Sequence, residues 1–182
     1  MEQTVREFMV PKDEYITISD SASLFDAVME LNKHQKEKGD KAHSTILVKD
    51  DSGKIISHLN IFDVMRGIEP KYSQVSGLSR FGISGDLVEQ IFRESAPWAN
   101  PLEDLCSKSP QIIVRDIILK FSKAETIRID DNLNSAIHKI VVNQLHSLMV
   151  FDENREFAGI IRSIDLFNLI RSQIEVCKLD KT

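Results

Sequence analysis

Apolar and polar positions recur along this chain in one order, and the order is given twice. Ile16-Thr17-Ile18 alternates as a short strand. Asp20 to Ser23 supply helix caps, and Leu24, Ala27, Val28 and Leu31 follow at the spacing of one helical face. The pattern runs out in the charged stretch Lys33 to Lys41, a solvated helix end and loop that stops around Gly39. Ile46-Leu47-Val48 predicts a buried strand, Asp50-Asp51-Ser52-Gly53 a turn, and Ile55 to Leu59 the returning strand of a hairpin. Asn60 is placed to cap the next helix, with Asp63 at the third position of a capping box. Phe62, Met65 and Ile68 form its apolar side, and Gly67 and Pro70 are expected to stop it.

The second half repeats this course. Thr126 to Ile129 is the strand, and Leu133, Ala136, Ile137, Ile140 and Val141 give the helical stripe. Ser147 to Phe151 and Phe157 to Ile161 form a hairpin around Asp152-Glu153-Asn154. Ser163 is read as the cap of a last helix carrying Leu166, Phe167, Leu169, Ile170 and Ile174. Each copy is introduced by a related segment, Val5-Arg6-Glu7-Phe8-Met9 and Val114-Arg115-Asp116-Ile117-Ile118. These matches divide the chain into a first module at 1–68, a linker at 69–113 and a second module at 114–182. Within the linker, Asp86-x-x-Glu89 and Asn100-Pro101-x-Glu103 predict two helix starts, the second carrying Leu102, Leu105 and Cys106.

Charge narrows the partners. The balance of 23 basic and 28 acidic side chains, net −5, argues against nucleic acid and anionic membrane, which need a concentrated basic surface. No apolar run approaches the roughly 20 residues of a spanning helix, and no signal peptide is visible, so the expected location is cytoplasmic. Cys106 and Cys177 lack metal-ligand or disulfide spacing, and no metal is expected. No carboxylate pair, activated nucleophile or Gly-rich phosphate loop stands out, so the chain is expected not to be an enzyme.

The duplicated order of strand, helix, hairpin and helix, each copy behind its Val-Arg-acid segment, resembles a pair of CBS domains, or Bateman module. The pieces that carry the resemblance are Phe8-Met9-Val10-Pro11, Ala27-Val28, Ile46-Leu47-Val48 and Asp63 in the first copy. In the second they are Ala136-Ile137, His146-Ser147-Leu148-Met149-Val150, Gly159-Ile160-Ile161 and Asp165. The resemblance implies an α+β fold of two tandem βαββα modules packed as a pair, with a helical insertion between them. It also implies clefts between the modules that take AMP, ADP, ATP, S-adenosylmethionine or a related adenosine-containing ligand.

The family's ribose and phosphate motif is a Gly, two apolar residues, a Ser or Thr, two variable residues and an Asp at the start of the last helix. Such a site joins helix N–H groups and a hydroxyl to phosphate, and a carboxylate to ribose hydroxyls. The resemblance puts Asp63 and Asp165 at the acid, Asn60 and Arg162 at the hydroxyl position, and Ser57 and Gly159 at the glycine. It adds Ser163, the pair His146-Ser147, which resembles a phosphate-contacting His-Arg pair, and the strand residues Ile18 and Ile127. The implied function is a regulatory module that signals ligand occupancy to an unidentified protein partner by a conformational shift, as a homodimer. The replaced hydroxyl and glycine positions suit a second reading, a ligand-free dimeric scaffold with closed clefts.

Overall fold

The computed structural model describes residues 3–39, 43–69 and 105–179. Both predicted linker helix starts, at Asp86 and Asn100, lie outside the described residues, as does Pro70. The described strands are β1 (Val10–Pro11), β2 (Thr17–Ser19), β3 (Ile46–Lys49), β4 (Ile55–Leu59), β5 (Thr126–Arg128), β6 (Ser147–Phe151) and β7 (Phe157–Arg162). The helices are α1 (Leu24–Lys38), α2 (Ile61–Ile68), α3 (Leu105–Lys108), α4 (Val114–Ile117), α5 (Leu133–Asn143) and α6 (Ser163–Leu179). Helices and strands mix in the α+β manner expected, with a parallel strand pair flanking a hairpin in each copy.

The chain divides into two compact units, one spanning residues 16–120 and the other joining 1–15 to 121–182. In the first unit β2, β3 and β4 form a sheet in that order, β2 parallel to β3 and β3 antiparallel to β4. Ser23 caps α1 by accepting from the Asp26 N–H at 3.1 Å, and the Asp26 carboxylate takes the Ser23 N–H in return. Leu24 and Ala27 are buried as the helical stripe requires, whereas Val28, read as part of that stripe, is exposed. Ile18, Ala27, Ile46, Val48, Leu59 and Val114 form the core.

Val114 enters that core from a segment that introduces the second copy in sequence. Its N–H donates to the Ala22 carbonyl at 2.9 Å, and the Leu24 N–H donates to the Ile112 carbonyl at 2.8 Å. The strap continues as α4, which α2 meets at Gly67. A Cβ there would stand 2.9 Å from Ile117 Cγ2, so the missing side chain lets the two helices close. The helix runs one residue past Gly67 and ends at Ile68, between the two residues expected to stop it.

The second unit is built reciprocally. Its sheet has the order β1-β7-β6-β5, with β1 supplied by the start of the chain and paired antiparallel to β7. Val5, fully buried, joins Ile127, Leu133, Ala136, Ile140, Leu148, Val150, Ile161 and Leu166 in the core. The Val5 N–H donates to the Asp131 carbonyl at 2.9 Å and the Arg6 N–H to the Ile129 carbonyl at 3.0 Å. Phe121, Phe151 and Phe157 pack as a ring cluster with centroids 5.7 to 6.1 Å apart. The compact units thus differ from the sequence repeats in one respect: each introducing segment completes the unit built by the other copy.

Candidate functional site

In the first unit, β4 ends at Leu59 and α2 begins at Ile61, which leaves Asn60 in extended backbone as the cap. Its side-chain oxygen accepts from the Phe62 N–H at 2.8 Å and the Asp63 N–H at 3.2 Å. The Asp63 carboxylate accepts the Asn60 N–H at 2.9 Å, completing the capping box read from the sequence. Arg66, one turn on, donates to the other Asp63 oxygen. Asp63 is 4% exposed, and burial pushes its carboxyl above the usual range against the opposing pull of Asn60, Arg66 and His58. Both oxygens are thereby engaged inside the unit. Asn60 Nδ2 lies 3.1 Å from His58 Nε2, and Ile18 is buried in the core below.

The second unit turns the same corner differently. β7 runs through Arg162 without a break, and Ser163 is the first residue of α6 rather than its cap. The Ser163 N–H donates to the His146 carbonyl at 2.9 Å, while Ser147 pairs with Arg162 across the β6–β7 ladder. Arg162 grips Asp165 with a two-bond fork, Nε to Oδ2 and Nη2 to Oδ1, both at 2.6 Å. The fork remains reachable, the two side chains being 34% and 22% exposed, against 14% and 6% for Arg66 and Asp63.

Gly159 sits opposite Pro11 on β1 and is enclosed by the Val10–Pro11 backbone, whereas Ser57 donates its hydroxyl to the Leu119 carbonyl at 2.5 Å. Ile127 is a core residue of the second unit. The structure therefore brings Arg162, Ser163, Asp165, Ser147 and the His146 backbone together, and holds Gly159 further back along β7.

Tyr15 also belongs here, and nothing in its local sequence marks it. It is buried, and its phenol is pushed up to about 12 by desolvation, with Arg162 drawing it down and Asp165 and Glu14 adding to the rise. The charges of the fork are thus felt at a residue far away in sequence. Only the folding of residues 1–15 onto the second unit places it there. Among the described residues no group of His, Cys, Asp and Glu could hold a metal ion, and no helix is long and apolar enough to cross a membrane.

Residues 111–172 match the family model of the CBS domain. No curated protein matches the chain. Solved structures resemble it over nearly its full length. The CBS-pair protein CBSX2 from Arabidopsis thaliana is 19% identical, with a TM-score of 0.60 over 98% of this chain and 99% of that one. A structure of CBSX2 in complex with AMP, also 19% identical, gives 0.56 over 96% and 98%. A CBS domain-containing protein of unknown function from Bacillus anthracis is 14% identical, with 0.62 over 94% and 95%. The second copy thus matches the CBS domain, and the chain as a whole shares its fold nearly end to end with CBS-pair structures.

Proposed function

We propose that the chain is a non-catalytic regulatory module that binds an adenine nucleotide or related adenosine-containing ligand at the start of α6. Occupancy would be passed to a protein partner by a shift between conformations already present in the free protein. The observation that carries this reading is the accessible pair of Arg162, at the end of β7, and Asp165, on the first turn of α6. A cation for phosphate and a carboxylate for ribose stand where helix N–H groups also favour an anion. Asp63 lacks this accessibility, so one site per chain is expected, in the second unit. The AMP held by CBSX2 supports the choice of ligand class.

A thermal-shift series with AMP, ADP, ATP, S-adenosylmethionine and NADH tests the reading. A ligand at about 100 times its dissociation constant stabilises by roughly 2.7 kcal/mol. If no compound moves the melting point at millimolar concentration, the adenine reading is lost.

The second reading, a ligand-free dimeric scaffold, draws on the helix surfaces. Phe167, Ile170 and Ile174 are exposed along α6 at three- and four-residue spacing, and Ile61, Phe62 and Met65 are exposed on α2. Such faces suit a homodimer under either reading. Light scattering that returned the monomer mass at working concentration would remove the dimer from both.

A further inference from the structure

On the nucleotide reading, the site at the start of α6 has a built-in means of selecting its ligand. In the free protein the acid that would receive ribose is already held, both oxygens accepting from one guanidinium. The holder is well anchored. Arg162 is the last residue of β7, fixed opposite Ser147, and Asp165 lies one turn into α6. The end of a strand and the first turn of a helix thus set the fork, and the buried Tyr15 is close enough to be influenced by both charges.

We propose that Arg162 is the specificity-determining residue of this site, admitting ligands that carry an anion together with vicinal hydroxyls and rejecting uncharged nucleosides. A diol that claims Asp165 must break the fork and part a partly buried guanidinium from the carboxylate that holds it by two bonds, which is costly. A ligand phosphate removes that cost by taking the guanidinium in the same bidentate geometry. The exchange conserves charge-assisted hydrogen bonds only when both groups arrive on one molecule. In the first unit Asp63 is held instead by Arg66 from one turn further along α2, and uncharged Asn60, at the position matching Arg162, serves as a helix cap.

The test compares AMP and adenosine by isothermal titration on the wild type, Arg162→Gln and Arg162→Lys, each checked for folding by circular dichroism. The wild type should prefer AMP by at least about tenfold. In Arg162→Gln the preference should fall toward unity, with adenosine binding at least as well as to the wild type because Asp165 is released. Arg162→Lys should retain AMP within a few-fold, keeping the charge, while binding adenosine better than the wild type because the fork is gone. Should both glutamine and lysine variants bind the two compounds in the wild-type ratio, Arg162 does not set the selection, and the nucleotide reading survives without it. If neither compound binds any of the three proteins, the nucleotide reading has failed and this inference falls with it.

Discussion

Gly159 lies so close to Val10 that a Cβ built on it would stand 2.3 Å from the Val10 carbonyl oxygen. Ser57 occupies the matching place in the other copy and meets the matching strap, donating its hydroxyl to Leu119 at 2.5 Å. One strap therefore joins its sheet as a strand, and the other is fastened by a side chain. Gly159→Ala forces β1 away from β7 and should cost about 1–3 kcal/mol, the range for overpacking. Ser57→Ala loses one hydrogen bond and should cost about 1 kcal/mol. Urea denaturation measures both; a Gly159→Ala variant as stable as the wild type would show that the β1 ladder contributes nothing.

The reciprocal straps predict an effect across the sequence repeat. Val114 is fully buried among Ala27, Ile46 and Leu59, so Val114→Ala should destabilise by about 2 kcal/mol. Hydrogen exchange should rise first in residues 24–31 and 46–59 rather than in 133–170. Faster exchange confined to the second copy would contradict the observed packing.

Asp63 and Asp165 share a position in sequence but differ in their surroundings, and their alanine variants should separate. Asp63→Ala removes one arm of the capping box and takes from Arg66 its partly buried carboxylate, costing about 3 kcal/mol of stability. Asp165→Ala breaks a more exposed pair and should cost about 1 kcal/mol. The order reverses for ligand, with Asp165→Ala weakening adenine nucleotide binding more than Asp63→Ala. Equal melting temperatures for the two variants, or stronger loss of binding at Asp63, would overturn this assignment.

Tyr15 gives an alkaline signature. Burial raises its phenol from 10.0 to about 12 in the folded state, so the neutral form favours folding. The stabilisation is complete below the unfolded value near pH 10 and is lost as pH rises through 12. Wild-type stability should therefore fall over this window more steeply than that of Tyr15→Phe. Parallel curves for the two proteins would show that the phenol is not desolvated.

The pattern of apolar positions located the strand, the helices and the hairpin of each copy, because helix and strand periods are local properties of the chain, but it did not mark β1 or α4. Capping boxes were legible for the same reason: Asn60 and Asp63 lie three residues apart, and their bonds close within one turn. The positions matching the family motif were also readable, down to the replacement of its hydroxyl by Asn60 and Arg162. Sequence alone could not say what surrounds each position.

Only the tertiary structure decided that Asp63 is enclosed while Asp165 is reachable, that Val5 and Val114 change places between the units, and that Tyr15 is buried within reach of the charges of the fork. Several of these outcomes depend on contacts between segments distant in sequence, as Arg6 and Asp130 illustrate with a separation of 124. Burial and electrostatics are set by such distant neighbours. The near-identical sequence roles of Asp63 and Asp165 therefore fixed their place on a helix, and the packing around each helix fixed their chemistry.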